Sequence, residues 1–413
     1  MARTSDTDRR HFLRRTAALG AGVVVAPKVV AQESPLAVPA WSTTPGLPLS
    51  EGNYGAPSSF EKGVVRRGRK DYRMPGSGSI MSPLANLRGT ITPNGLVFER
   101  SHGGVPEIDP AQHRLVIHGL VRQPLMFTMD DIARFPSVSR VHFLECSGNT
   151  SQGWAGRPPS VQLSHGLISA CEWTGVLLST VLDEAGLAPN ASWVIAEGAD
   201  AAGLNRSVPL AKCLEDAMLV YAQSGEALRP ENGYPLRLFL PGWEGNMSVK
   251  WLRRLRVAAE PAMTRWETAS YTESMPDGSA RQFTFVMEAK SVITHPAPEK
   301  PLGAKGFVEI SGIAWSGNGR IKRVDVSTDG GRSWHPAELQ EPVLNRAFTR
   351  FRLPWHWKGE QATLMSRAMD ETGYVQPTHR QLVAVRGTAN RYHYNAIQPW
   401  QVAGDGKVTN VHA

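Results

Sequence analysis

The run Ser139-Arg140-Val141-His142-Phe143-Leu144-Glu145 reads as a strand that leads straight into Cys146-Ser147-Gly148-Asn149-Thr150. A cysteine at the end of an apolar strand, followed by a tight polar turn, stands where a strand delivers a side chain into a pocket. Its soft thiolate could hold a soft metal or act as a nucleophile. Position alone favours a plainer alternative, an inert buried cysteine. The two other cysteines, Cys171 and Cys213, lie in or near helical stretches among apolar neighbours and read as packing residues. With 3 cysteines in all, no disulfide framework is available and at least one thiol stays unpaired. The chain has no CxxCH for a c-type haem and no CxxC for zinc or an iron–sulfur cluster. Dinucleotide, P-loop, zinc-protease and hydrolase signatures (GxGxxG, Walker A, HExxH, GxSxG) are absent as well.

The elements that must position these residues fall into two kinds. At 413 residues and 41% hydrophobic content, the chain is long enough for two packed cores. Residues 86–275 mix short strands such as Leu115-Val116-Ile117-His118 with helical stretches, which predicts an α+β region. Trp173 to Ala185 is its clearest helix, with Val176, Leu177, Val181 and Leu182 on one face and Gly186 at the end. Tyr234 to Gly242 reads as a buried strand closed by a turn. Residues 285–400 change character to strands spaced by turns: Phe307–Ile313, Ile321–Ser327, Phe348–Leu353, Thr363–Ala368 and Gln381–Val385. Asp329-Gly330-Gly331 closes a hairpin, and Trp315 and Trp334 are available to fill a core. The pattern predicts an immunoglobulin-like β-sandwich. Residues 32–85 are rich in Pro, Gly and Ser, carry the basic patch Arg66-Arg67-Gly68-Arg69-Lys70, and predict an extended arm; residues 401–413 read as a tail.

The only long apolar run, Ala17 to Ala26, is far too short to span a bilayer, so no membrane span is expected. It follows Asp8-Arg9-Arg10-His11-Phe12-Leu13-Arg14, the form of a twin-arginine export signal, and predicts a signal peptide over 1–31 and a periplasmic protein. That route carries folded proteins, which suits a cofactor inserted before export. In 1–31 the basic residues outnumber Asp6 and Asp8 by four, so removing the segment lowers the net charge from +8 to +4. With no basic helix, nucleic-acid binding has little support, while a positively lined pocket for an anion is compatible with the charge.

Cys146-Ser147-Gly148-Asn149 resembles the Cys-x-Gly-Asn turn of the sulfite oxidase family of molybdenum enzymes. Phe98-Glu99-Arg100-Ser101-His102 is similar to the family's pterin-binding Arg-x-His segment, and Trp173-Thr174-Gly175 to its Trp-x-Gly. Asn232-Gly233-Tyr234-Pro235-Leu236-Arg237, Val249-Lys250-Trp251-Leu252 and Gly373-Tyr374-Val375-Gln376-Pro377 continue the likeness in order, over roughly residues 85–400. Within the family the chain looks closest to the sulfane dehydrogenase catalytic subunits of bacterial thiosulfate-oxidising Sox systems, a match carried by Phe98–Pro106 and Glu145–Trp154. It departs from the animal enzymes at Ser151, where they have an arginine close to the metal, and at Asn232, where they have a histidine; no cytochrome b5 domain is expected ahead of it. The lost positive charge favours a bulkier, carrier-bound sulfur substrate over a small dianion.

The resemblance implies a molybdopterin-binding domain followed by an immunoglobulin-like dimerisation domain, a molybdenum–molybdopterin cofactor, and two-electron oxygen-atom transfer to sulfur. It assigns Cys146 as the metal's thiolate ligand and Arg100 as the charge beside the metal. Tyr271, five residues after Trp266, would bond near the reacting oxygen and assist proton movement. Arg237, Lys250 and His102 would hold the pterin and its phosphate, with Asp200 as an acidic pterin contact. Phe98, Ser101, Asn232, Ser248 and Val249, in or beside the same stretches, are assigned to the cofactor too. Arg386 lines up with a family arginine that reaches from the sandwich toward the substrate. With no haem on this chain, electrons would pass to a c-type cytochrome subunit, in a homodimer or a heterotetramer with that cytochrome, and a sulfur-carrier protein would present the substrate. Two alternatives stay open: direct oxidation of free sulfite, and a cofactor-free exported binding protein on the same scaffold.

Overall fold

A computed structural model describes residues 55–70, 75–156 and 158–411 together with Pro45, with backbone only at 69 and 70. The twin-arginine segment and most of the arm up to residue 54 lie outside the described residues. Residues 59–413 belong to one compact unit.

The strand carrying Cys146 is Ser137–Glu145. It pairs antiparallel with Ile168–Leu177, setting His142 opposite Cys171 and Glu145 opposite Ile168. Its first half is half-exposed, and its last four residues are buried on both faces, so Phe143 and Leu144, pointing opposite ways, enter two different cores. Met218–Gln223 lies on the other side of Ile168–Leu177 and also pairs with Arg237–Phe239. A second sheet runs Leu125–Phe127, Leu115–Gly119, Leu252–Ala258, Trp193–Gly198, Asn205–Pro209. It is mixed, because Leu252–Ala258 is parallel to Leu115–Gly119. Val181 and Leu182 of the helix Leu178–Ala185 and Cys213 of the helix Leu210–Glu215 close its core over Leu115, Ile117 and Leu255.

The C-terminal part is a two-sheet sandwich. Lys290–His295, Gly306–Trp315, Thr349–Trp357 and Glu338–Gln340 form one sheet; His335–Pro336, Ile321–Ser327, Ala362–Asp370, Trp400–Val402 and Val408–Asn410 form the other. Val292, Ile310, Val324, Phe351, Leu364 and Trp400 meet between them. Phe143, Val161, Ile168 and Ala170 of the first part belong to this same core. The two parts therefore share apolar surface, which fixes the sandwich against the strand that bears Cys146.

Several expectations are corrected. Trp173–Leu177 is strand, and the helix begins only at Leu178. Trp173, Thr174 and Val176 are strand formers, and Gly175 lies so close to its partner strand that a Cβ there would stand 2.1 Å from the Leu219 carbonyl; two-sided pairing overrides the helical spacing. Cys171 accordingly sits in a strand, while Cys213 is helical as read. Gln381–Val385 is not a strand but part of the helix His379–Arg386, whose Thr378 and Gln381 form a capping box that outweighs the β-branched valines. Of Tyr234–Gly242 only Arg237–Phe239 is strand. Trp315 is fully buried, whereas Trp334 is half-buried under the Arg367 guanidinium, 4.3 Å from its ring centre. The described end of the expected arm packs onto the domain: Arg67–Lys70 and Gly78–Met81 form a sheet with Glu99–Ser101, and Met81, Leu84 and Ala85 are buried. The expected tail supplies Val408–Asn410, the edge strand of the sandwich.

Candidate active site

Cys146 closes the Ser137–Glu145 strand at the floor of a cavity lined also by Phe98, Arg100, His102, Asn232, Arg237 and Lys250. Its turn is held rigidly. The Cys146 amide donates to Leu167 O at 3.0 Å and its carbonyl accepts from Asn149 N at 2.8 Å. Asn149 clamps both flanks, its Nδ2 donating to Glu145 Oε1 at 2.9 Å while its Oδ1 accepts from Leu167 N at 3.1 Å. Glu145 is fully buried, and the sandwich satisfies it: Lys290 Nζ lies 2.6 Å from Oε1 and the Trp315 indole N–H donates to Oε2 at 2.8 Å. Thr150 takes the left-handed region, φ 63°, and turns the chain away. Burial pushes the Cys146 thiol up, and the Arg100 guanidinium opposes that shift. A cation beside the sulfur is therefore what would hold it as a thiolate.

Arg100 is anchored by the short sheet at the chain's start. Its Nη1 donates to Gly78 O at 3.0 Å and to Ser101 O, and its Nη2 faces His102 Nδ1 at 3.2 Å. Burial, then Arg100 and Lys250, lowers His102 to about 4, so the ring is neutral at pH 7. Because Nδ1 faces a guanidinium donor, it accepts, and the proton resides on Nε2, which donates to Tyr271 Oη at 2.8 Å. Tyr271 is raised above its ordinary value, first by burial and then by the charge of Cys146. It remains a neutral phenol whose own proton is free for an occupant of the cavity.

The cavity wall also carries two further cations. Arg237 donates through Nε to Ser248 O at 3.1 Å and through Nη1 to Asn232 O at 3.0 Å. Lys250 Nζ donates to Glu231 O at 2.8 Å. Among the described residues neither has a carboxylate at ion-pair distance, and burial lowers Arg237 to about 9 and Lys250 to about 7. Arg237 is buried and Lys250 half-buried, and besides carbonyls they meet, among the described residues, only the Trp173 and Trp251 rings, at 5.6 and 4.2 Å; such cations are costly unless an anion joins them. Two further polar atoms are also left over: Asn232 Nδ2 and Asn246 Oδ1 are buried without a hydrogen-bond partner, on residues that line the same cavity. A soft sulfur, two cations without a carboxylate at ion-pair distance and an orphaned donor and acceptor on one cavity wall fit an anionic organic group that carries a soft metal.

The structure thus brings Cys146, Arg100, His102, Tyr271, Phe98, Asn232, Arg237, Ser248 and Lys250 to one cavity. The remaining assigned residues are not on the wall of this cavity. Asp200 accepts from Leu204 N at 3.4 Å in a turn; Ser101 donates to Gly104 O at 2.7 Å; the Val249 side chain is in the apolar core. Ser151 opens a turn, Ser151–Trp154, and is not on the cavity wall. Arg386 does not reach the cavity at all. Its Nη1 is bidentate to Glu273 at 3.0 and 2.8 Å and its Nη2 meets Glu288 at 2.9 Å, so a buried ion pair, not a substrate, takes its charge. Residues that the sequence did not point to complete the site: Asn246, and a buried chain in which His393 stands 3.2 Å from Glu244 and 3.1 Å from Glu273, with Arg206 3.5 Å from Glu244. The acid preceding the cysteine in an apolar strand was the one available signal for the Glu145–Lys290 pair. For the others there was none: Asn246 and Glu244 are near neighbours, but Ser147, Arg206, Glu273 and His393, which complete their contacts, lie far away in the chain.

Two family models match the chain: an oxidoreductase molybdopterin binding domain over residues 102–266 and a Mo-co oxidoreductase dimerisation domain over residues 281–399. Mitochondrial sulfite oxidase of Mus musculus is 32% identical over 345 residues, which is 76% of this chain and 63% of that protein. Sulfite oxidase of Gallus gallus is 31% identical over 70% of this chain and 68% of its own length. The chain spans about three fifths of the mouse relative (63%). Among solved structures, the sulfane dehydrogenase SoxCD from Paracoccus pantotrophus superposes with a TM-score of 0.89 at 47% identity, covering 91% of this chain and 98% of that one.

Proposed function

Since the chain belongs to the sulfite oxidase family of molybdoenzymes, we propose that it is a molybdopterin-dependent oxidoreductase that oxidises sulfur compounds and delivers the electrons to a c-type cytochrome. The observation that carries this reading is the pairing, in one cavity, of the Cys146 sulfur with the unneutralised cations Arg237 and Lys250. Bound there, the cofactor supplies two-electron oxygen-atom transfer. The donor sulfur gains one oxygen derived from water, and two protons and two electrons are released.

The chain's own residues do the rest. Cys146 binds the metal; Arg237, Lys250 and Asn232 hold the anionic and polar edges of the cofactor. Arg100, fixed by backbone carbonyls rather than by a carboxylate, keeps its positive charge facing the substrate. Tyr271, held by neutral His102, offers its phenolic proton at the reacting end. The preferred substrate is sulfane sulfur on a carrier protein, with free sulfite as the alternative; the 47% identity to a sulfane dehydrogenase supports the first. We propose a periplasmic location reached by twin-arginine export, and assembly as a homodimer or as a heterotetramer with the cytochrome, through the dimerisation domain. No helix of the described residues is long and apolar enough to cross a membrane.

The test is Cys146→Ser with metal analysis and turnover. Wild type should carry about one molybdenum per chain and reduce cytochrome c when given a thiosulfate-charged carrier protein. The variant should keep its fold and lose turnover. A folded wild type without molybdenum points instead to the cofactor-free binding protein, and faster turnover of free sulfite than of the carrier selects the alternative substrate.

A further inference from the structure

Asn246 stands on the short turn Gly245–Met247, which presses directly on the cysteine. A Cβ at Gly245 would lie 2.8 Å from the Glu145 carbonyl and 3.4 Å from Cys146 Cα, so only glycine allows this approach. The Asn246 amide is fixed in one orientation. Its Nδ2 donates to Glu244 Oε2 at 2.7 Å and to Ser147 Oγ at 3.1 Å. Glu244 is itself fully buried, and Arg206 and His393 lie at 3.5 and 3.2 Å from its oxygens. A carboxylate flanked by cations only accepts, so the flipped amide would set oxygen against oxygen. Both Nδ2 hydrogens are spent on the protein. What remains is Oδ1, a buried acceptor with no partner, on a residue of the cavity wall.

An unpartnered buried acceptor costs free energy unless a donor from an occupant meets it. Arg100, Arg237, Lys250 and Tyr271 on the same wall offer donors, whereas Asn246 Oδ1 offers an acceptor that no protein donor occupies. Its anchor on Ser147, the residue after the cysteine, holds it against the Cys146 turn. The group consumed in the reaction that carries O–H donors is water. We propose that Asn246 Oδ1 accepts a hydrogen bond from the water that supplies oxygen in the reaction, orienting it beside Cys146, with Glu244 and Ser147 as positioning residues for the amide. The inference rests on the cavity holding the molybdenum cofactor.

The experiment compares wild type, Asn246→Ala and Asn246→Ser as purified holoenzymes. It measures molybdenum and pterin per chain, thermal midpoint, kcat and KM, and the exchangeable-proton splitting of the Mo(V) electron paramagnetic resonance signal. Expected is full cofactor content, a KM within about twofold of wild type, and a kcat lower by about 10- to 100-fold for Asn246→Ala. The proton splitting should change in the same variant, and Asn246→Ser, which keeps an oxygen, should lose less. Loss of pterin would assign Oδ1 to the cofactor and overturn the proposal. A rise in KM alone would assign it to the sulfur donor and overturn the proposal equally, as would unchanged kcat and spectrum in both variants. Should Asn246→Ala fail to fold, Asn246→Ser carries the comparison. Molybdenum-free wild type would overturn the functional reading and this inference with it, an outcome distinct from a fully loaded Asn246→Ala that keeps wild-type kcat and spectrum.

Discussion

Replacing Lys290 by methionine removes one partner of a carboxylate that has no access to water. Glu145 keeps two hydrogen bonds, from Trp315 at 2.8 Å and Asn149 at 2.9 Å, but loses the 2.6 Å ion pair across the junction of the two parts. Breaking a buried pair from one side costs about 3–5 kcal/mol, because the residual charge stays buried. Lys290→Met should therefore lower the unfolding free energy by about that much, read as a shift in the urea midpoint at constant slope. The double variant Glu145→Gln/Lys290→Met removes both charges; the single Gln oxygen keeps one of the two donors, Trp315 or Asn149, while its NH2 faces the other, so the double variant should recover all but about 1–3 kcal/mol. Because Asn149 clamps the Cys146 turn through Glu145, the single variant should also retain less molybdenum, and the double variant should regain it. A shift below 1 kcal/mol for Lys290→Met, or no recovery in the double variant, would show that the pair does not tie the sandwich to the cysteine turn.

Arg237→Met should separate cofactor binding from folding. Cofactor-free protein should lose no more than about 1 kcal/mol, since an unneutralised buried charge goes with the lost hydrogen bonds, while pterin content of the purified protein falls at least about tenfold; a large destabilisation of the cofactor-free form would contradict this. Arg386→Leu leaves Glu273 buried without its bidentate partner and should cost about 3–5 kcal/mol with an unchanged KM, whereas a stable variant with a raised KM would return Arg386 to the substrate. His142, stacked on Phe239, points Nδ1 at Asn345 O 3.1 Å away, and burial lowers it to about 4. Between pH 6.5 and 4 the unfolded chain binds the extra proton, so stability is present above 6.5 and falls by up to about 3 kcal/mol as pH drops to 4; His142→Gln should flatten that slope in unfolding titrations.

Much of the site was legible in the chain itself. The run from Ser139 to Glu145 is strand-forming up to Cys146, and the turn residues after it announce a presented thiol. The blocks around Arg100, Asn232 and Lys250 are local in sequence, so their likeness to the family survives without a structure. The sandwich was legible from its alternation, with Ile321–Ser327 matching its strand end to end. Assignments failed where two local signals competed and distant pairing decided. Trp173–Leu177 carries both helical spacing and strand formers, and the strands on either side settled it. Gln381–Val385 carries β-branched residues inside a capped helix.

The sequence alone determined which groups are soft, charged or strand-forming, since those are properties of single residues and near neighbours. Only the tertiary structure decided their electrostatic state. It gave Arg386 a carboxylate and withheld one from Arg237 and Lys250. It joined Glu145 to Lys290 across 145 residues and left Asn246 with one acceptor unspent. Burial and pairing depend on what lies opposite a side chain in space, and the dielectric around a charge is set by the whole packed molecule, so no local stretch of the chain contains that information.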